Sequence, residues 1–136
     1  MIKHLLLVFF ILLVELNGST VSLTISEGLI NNYLDTVGEY KYYSKRDNSE
    51  WIVQHPHVKI KNDEIIFFSR VIYSKDLVNI KKDVKRNLKV KYDLDKNHVK
   101  LVFQNSVIYM ERRGKRLGML DLKDLYEPKL IFNGPN

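Results

Sequence analysis

The chain has 136 residues, no cysteine and a formal net charge of +6, and 28% of its residues are charged. This length supports one domain around one core, and the lack of cysteine excludes the disulfide-stabilised class of small exported proteins. The fold is therefore expected to be stable through its hydrophobic core alone.

The first 19 residues have the proportions of a secretory signal peptide. Lys3 precedes the apolar run Leu5 to Val14, which leads into Leu16-Asn17-Gly18-Ser19. A charged start, about ten apolar residues and a small-residue exit are typical of signal peptides, whereas a membrane-spanning helix needs roughly 20 apolar residues. We therefore predict a signal peptide over residues 1–19, a single α+β domain over residues 20–136, and a periplasmic or secreted location.

The exit sequence reads like the Leu-x-Gly-Cys box at which bacterial lipoproteins are cut and acylated, with Ser19 in the place of the cysteine. A hydroxyl cannot replace the thiol that takes the diacylglyceryl group, so the mature chain is expected to carry no acyl group. It is then either free or held by an uncleaved segment. Small residues also follow signal peptides in general, and this simpler interpretation stays open.

The net charge bears on the choice of partner. The first 19 residues hold one basic and one acidic side chain, so the remainder keeps 21 basic residues, 15 acidic residues and the charge of +6. Outside the cytoplasm this balance favours anionic lipid head groups or an envelope protein, and not nucleic acid. A basic surface that serves only solubility explains the charge equally well.

One helix is predicted directly after the signal peptide. Ser26 is a good N-cap, Gly38 is a suitable end, and the apolar residues between them recur at three- and four-residue spacing. This pattern places five side chains on one stripe that a sheet must cover: Leu29, Ile30, Tyr33, Leu34 and Val37.

The rest of the domain alternates as strands do. From Val78 to Leu94 the even positions are mostly apolar and the odd positions are polar, with Lys82 and Arg86 as interruptions. A second long strand is predicted from His98 to Arg112, after a turn at Asp95-Lys96-Asn97. Its inward residues are expected to be Val99, Leu101, Phe103, Val107 and Tyr109. Both strands exceed the usual length, so we expect bends near Lys82 and Asn105.

Two further strands precede these. Glu64 to Tyr73 is apolar on both faces, which predicts the central strand of the sheet. Trp51 to Lys61 is a strand broken at Pro56, and Asn62-Asp63 closes a tight hairpin. The predicted fold is α+β: an N-terminal helix packed on a curved antiparallel sheet of about four strands, with a short C-terminal helical segment at Leu120 to Tyr126.

The sequence contains little that suggests catalysis. His55 and His57 would share a face of a regular strand, with His98 as a distant third ligand, but no cysteine or carboxylate supports them at metal-ligand spacing. The carboxylates are dispersed, and there is no nucleophile elbow, phosphate loop or dinucleotide fingerprint. We therefore predict no catalytic residues, no metal, no cofactor and no enzyme activity.

Aromatic residues along the strands form the more informative set. A bent sheet that closes over one helix would place several of them around one trough, where they either fill the core or leave room for an apolar ligand with basic residues at its mouth. On the second interpretation the ligand-binding residues are Phe67, Tyr73, Arg86, Phe103, Tyr109, Arg112 and Arg113.

Two motifs carry a resemblance to a known family. The helix opening Leu23-Thr24-Ile25-Ser26-Glu27 and the segment Tyr92-Asp93-Leu94-Asp95, which leads into Val99-Lys100-Leu101, resemble the small YceB-like envelope lipoproteins of Gram-negative bacteria. That family is similar to half of a tubular lipid-binding module. The resemblance implies binding of a lipid or another apolar ligand in the periplasm. It also implies structural roles for Ser26, Glu27, Ile30, Asn31 and Leu34.

Two other classes stay open. A cystatin-like module would bind a protein through an exposed hairpin at Arg112 to Arg116. An accessory protein of an envelope or secretion complex would need only an edge strand, for which Trp51 to Lys61 is the candidate.

Overall fold

The structure, a computed structural model, describes residues 9–16 and 19–134, with side chains from Ser26 onward. Regular elements cover most of this part of the chain. In chain order the elements are β1 (Phe9–Leu16), β2 (Ser19–Ser26), α1 (Glu27–Val37), β3 (Tyr40–Ser44), β4 (Ser49–Lys61), β5 (Glu64–Lys75), β6 (Val78–Asp93), β7 (His98–Phe103), β8 (Val107–Arg112), β9 (Lys115–Asp121), α2 (Leu122–Tyr126), a 3-10 helix (Glu127–Lys129) and β10 (Ile131–Asn133).

The predicted α+β class is confirmed, but the sheet is larger than predicted. Six antiparallel strands in the order β10-β7-β6-β5-β4-β3 form a strongly curled half-barrel. The prediction of about four strands missed β3 and β10, which form the two edges. Strand β5 lies inside the sheet, between β4 and β6, as its two apolar faces predicted.

Helix α1 begins and ends where the sequence predicted. The Ser26 hydroxyl accepts a hydrogen bond from Leu29 N at 3.0 Å, and Gly38 at φ 68° forms the C-cap. Ile30 and Leu34 are fully buried against the sheet. Leu29 was predicted to share their stripe but is 52% exposed, because only one side of this short helix contacts β4.

The predicted turns are confirmed. Asn62 and Asp63 both have positive φ, which matches the tight hairpin between β4 and β5, and Asn97 has φ 50° in the turn between β6 and β7. The break at Pro56 corresponds to a register shift between Gln54 and His57. No such shift occurs at Lys82, where a bend was predicted: the β5–β6 ladder is continuous through the pair Val71–Lys82.

The strand predicted from His98 to Arg112 is wrong, because the chain leaves the main sheet after Phe103. β8 pairs instead with β9 in a separate hairpin. The three residues between β7 and β8 shift the inward positions by one, so Ile108 and Met110 are buried, and the predicted Val107 and Tyr109 are only partly buried.

Residues 9–16 and 19–26 pair as a two-stranded hairpin that forms its own sheet. Residues 1–8 and 17–18 of the predicted signal peptide lie outside the described residues, and the signal peptide stays a prediction. Within the described part of the chain, every helix is too short or too polar to cross a bilayer.

Candidate functional site

The concave face of the sheet is filled by the protein itself. Phe67 and Phe103 meet edge to face with ring centroids 5.2 Å apart, and Tyr126 of α2 lies 5.1 Å from Phe67. Phe67 and Tyr126 are fully buried and Phe103 is 8% exposed. Burial raises the pKa of the Tyr126 phenol above its ordinary value. Two of the predicted ligand-binding residues are therefore together, as part of a packed core.

Arg86 and Lys82, the two interruptions in the alternation of β6, bind the neighbouring hairpin. The Arg86 guanidinium donates to Val107 O at 3.3 Å, and Lys82 Nζ donates to Tyr109 O at 3.2 Å. Because these carbonyls belong to β8, the two cations hold that strand beside the sheet. Arg86, a predicted ligand-binding residue, thus binds a backbone carbonyl.

Tyr73, Tyr109, Arg112 and Arg113 lie away from Phe67. Tyr73 is buried against Trp51, at a centroid distance of 4.8 Å. Burial, with the negative charges of Asp47 and Asp76, raises the pKa of Tyr73. Arg112 and Arg113 are exposed at the β8–β9 turn. The predicted site residues therefore do not form one site.

A separate cleft lies between the turn that joins β3 to β4 and the strand β9. It is open and has a volume of about 900 Å³. We call it the hairpin cleft. Its lining consists of Tyr42, Tyr43, Ser44, Lys45, Arg46, Asp47, Trp51, Tyr109, Arg116, Leu117, Gly118, Met119, Leu120, Asp121, Asp124 and Leu125.

A hydrogen-bonded chain fixes the floor of the hairpin cleft. Trp51 Nε1 donates to the Ser49 hydroxyl at 3.1 Å, and Ser49 in turn donates to Asp47 Oδ1 through its hydroxyl at 2.6 Å and its backbone N at 3.2 Å. The Ser49 hydrogen bond lowers the pKa of the Asp47 carboxyl, with smaller contributions from Ser44 and Lys75 against an opposing effect of burial. The indole is held in one orientation as a result.

Gly118 lets β9 approach this floor closely. A Cβ atom at this position would lie 3.0 Å from Trp51 Cζ2 and 3.2 Å from Tyr73 Cε2. Such distances are shorter than ordinary van der Waals contacts. A side chain at position 118 would therefore displace β9 or the two rings.

The walls combine aromatic rings with charges of both signs. Tyr42 and Tyr43 are 43% and 56% exposed, and the Arg116 guanidinium lies 3.9 Å from the centroid of the Tyr109 ring. Three cations and three carboxylates border the cleft: Lys45, Arg46, Arg116, Asp47, Asp121 and Asp124. Balanced charges around rings suit a ligand that is itself both polar and apolar.

Comparison with family models, with curated proteins and with solved structures finds no match for this chain.

Strand β3 has a free backbone edge along the cleft. It ends the six-stranded sheet, and among the described residues no group is hydrogen-bonded to its outer edge. Other edges are bound: Glu27 accepts from Ile60 N on β4 at 2.7 Å, and Glu127 accepts from Phe103 N on β7 at 3.0 Å. The suggestion that Trp51 to Lys61 is an edge strand is correct only beyond Val53, because β3 pairs with the first part of β4 and ends there.

The two histidines do not form a chelating pair. His55 has φ 52° in the irregularity around Pro56, and its carbonyl lies 2.8 Å from His57 Nδ1. The His57 ring stacks on Phe68 at 5.3 Å. Within residues 9–16 and 19–134, no three histidine, aspartate or glutamate side chains are grouped to hold a metal ion.

The exposed residues of the cleft were not predicted from the sequence. The sequence feature that could have indicated them is the segment Tyr40-Lys41-Tyr42-Tyr43. It is rich in tyrosine, which favours strands, and it is short enough for an edge strand. No residue pattern connects this segment to Arg116 or Met119, because the packing of the β8–β9 hairpin against the sheet brings them together.

Proposed function

We propose that this protein is an exported binding module without catalytic activity, and that an extended polypeptide segment of a partner occupies its hairpin cleft. The free edge of β3 is the observation that carries this proposal. An extended segment can add to such an edge through backbone hydrogen bonds, while neighbouring side chains select its sequence.

The surroundings of the edge support a peptide ligand. Tyr42 and Tyr43 supply exposed rings of the kind that dominate binding energy in protein interfaces. The equal numbers of cations and carboxylates match a segment that carries charges of both signs better than a fully apolar chain. Export remains part of the proposal and is supported by the signal-peptide proportions of residues 1–19.

We also propose kinship with the YceB-like envelope proteins. All five motif positions have structural roles that support it: Ser26 caps α1, Ile30 and Leu34 are buried, and Asn31 binds the backbone of β4. Glu27, the fifth position, binds β4 as well.

An apolar or lipid ligand is the second candidate. What supports it is the aliphatic part of the same cleft, formed by Leu117, Met119, Leu120 and Leu125. On this alternative, affinity for fatty acids would grow with chain length by about 0.8 kcal/mol for each buried methylene. Native mass spectrometry of protein from its host's envelope would detect such a ligand directly.

The test begins with a display library of unstructured peptides, from which those that bind the immobilised protein are selected. Bound peptides should slow hydrogen exchange at the β3 amides, and Tyr42→Ser, on the same side of the sheet as Trp51, should weaken binding by roughly tenfold, as for an interface hot spot. Tyr33→Ser is the matched control, because Tyr33 is 40% exposed but lies on α1 outside the cleft. The proposal would be contradicted if hydrogen exchange slowed only in other strands, or if both variants lost the same amount of peptide affinity.

A further inference from the structure

The outer side of strand β6 carries a row of lysines. Lys81, Lys85, Lys89 and Lys91 are exposed and alternate with inward positions such as the buried Val84 and Leu88. At about 3.3 Å per residue the row extends over roughly 30 Å. The four charges therefore lie on the same side of one strand.

Apolar side chains lie beside this row on β5. Lys85 pairs with Phe68 and Lys81 pairs with Ile72, and both apolar residues are only partly buried. On the other side of β5, Lys59 pairs with Ile66, and its Nζ lies 5.7 Å from the centroid of the Phe68 ring. We call the surface formed by these lysines, Ile66, Phe68 and Ile72 the outer face.

Among the described carboxylates near the outer face, Asp83 and Asp93 are paired, whereas the exposed Glu64, which lines a shallow pocket with Lys89, is in no ion pair. Asp83 binds Arg70 at 3.0 Å, and Asp93 lies 3.7 Å from Lys100. Among the described residues, the lysines of the β6 row have no ion-pair partner. Their positive charge is therefore available to an external partner.

We propose that the outer face lies on the surface of an anionic phospholipid bilayer. Several lysines around a small apolar centre match such a surface: the ammonium groups attract the head groups, each contributing about fivefold in affinity, while Phe68 and Ile66 contact the acyl boundary. The compact charge of lysine suits mobile head groups, whereas nucleic-acid recognition favours the planar fork of arginine.

This surface is separate from the hairpin cleft. Trp51 and Tyr42 lie on the inner side of the sheet, where Trp51 is buried in the core, whereas the row on β6 points outward. Binding to a bilayer would leave the cleft open, so the inference does not depend on the function proposed for the cleft.

The test is co-sedimentation with vesicles of phosphatidylcholine, alone or mixed with phosphatidylglycerol. The full chain should bind only the anionic vesicles, and salt should weaken most of this binding. The variant Lys81→Gln/Lys85→Gln should bind roughly 25-fold more weakly, at about fivefold per lysine. The control Lys115→Gln/Lys123→Gln removes the same charge from exposed residues of β9 and α2 and should change binding little.

A third variant, Phe68→Ser, should lose the part of the binding that resists salt, and urea titrations would verify that each variant is folded. Equal losses in the two double variants would overturn the proposal, as would equal binding to neutral vesicles. Tighter binding of a duplex oligonucleotide that the outer-face variant abolishes would assign the surface to nucleic acid instead.

Discussion

The side chain of Asn31 binds both backbone polar groups of Val58. Its Nδ2 donates to Val58 O at 3.0 Å, and its Oδ1 accepts from Val58 N at 2.7 Å. Strand β3 pairs with β4 only as far as Val53, so Val58 has no strand partner on that side. An amide presented by α1 thus completes the hydrogen bonding of β4 where its neighbouring strand is missing.

Replacing Asn31 by alanine should cost about 2 to 3 kcal/mol of unfolding free energy, because two hydrogen bonds are lost and two partly buried backbone groups lose their partners. Urea denaturation measures this loss. Asn32→Ala is the control, since the Asn32 side chain is exposed on the next position of the same helix. Similar costs at the two positions would contradict the role assigned to Asn31.

Phe103→Ala should cost roughly 3 to 5 kcal/mol, because it opens a cavity between Phe67 and Tyr126. Replacing Lys89 or Lys91 by alanine should cost little, since both are exposed. A urea titration that gives small, equal losses at all three positions would show that the assignment of inner and outer positions is wrong.

Gly118→Ala should destabilise the fold by about 1 to 3 kcal/mol, because the new methyl group overlaps the Trp51 and Tyr73 rings. Trp51 is the only tryptophan, so its fluorescence should report the displacement directly.

Gly28→Ala should have the opposite effect on stability. No atom lies within 4 Å of its added Cβ, and the change should stabilise α1 by up to about 1 kcal/mol.

Asp47 should make the free energy of unfolding depend on pH in the acid range. Its folded pKa is lowered chiefly by the Ser49 hydrogen bond, so the stabilisation is complete above the pKa of the unfolded chain, about 3.9, and is lost as the pH falls through the lower folded value. The pKa of Asp93 is lowered too, chiefly by the Lys96 backbone, so Asp47→Asn should reduce this dependence without abolishing it.

Thermal unfolding followed over the acid range would measure the effect. Asp124→Asn is the control, because this exposed carboxylate takes no part in the chain of hydrogen bonds from Trp51 to Asp47. An unchanged acid profile in Asp47→Asn would contradict the prediction.

Protein isolated from its host's envelope should begin between Ser19 and Val21 and carry no acyl group. Its stability should match that of the longer chain, because β1 and β2 pair only with each other in the described sheets and the described core begins at Ile30. Intact mass and a denaturation midpoint test the two statements. A full-length chain in the cytoplasm would refute the first.

The sequence predicted elements whose signal is local. The alternation of β6, the Ser26 cap and the Asn62-Asp63 turn depend on neighbours in the chain, and each was found. The change of face after Phe103 was missed because Val107 and Ile108 are both apolar, so alternation alone does not tell which of them is buried.

The candidate site was harder to predict than the fold. Arg86 was predicted to bind a ligand but binds the carbonyl of Val107, and such a contact leaves no pattern in the sequence. The hairpin cleft unites residues from two hairpins about 70 positions apart in the chain, as Tyr43 and Arg116 illustrate. The packing of the β8–β9 hairpin against the sheet brings them together.

The order of the strands in the sheet also bears on how the strands can pair while the chain is being synthesised. Strands β3 to β7 pair in the sequence in which they are synthesised, so each can join the strand formed just before it, and such short-range pairing favours rapid folding. β10 is different. It pairs with β7 only after β8, β9 and α2 have been made, so a chain that has not reached Ile131 leaves the edge of β7 open to other chains.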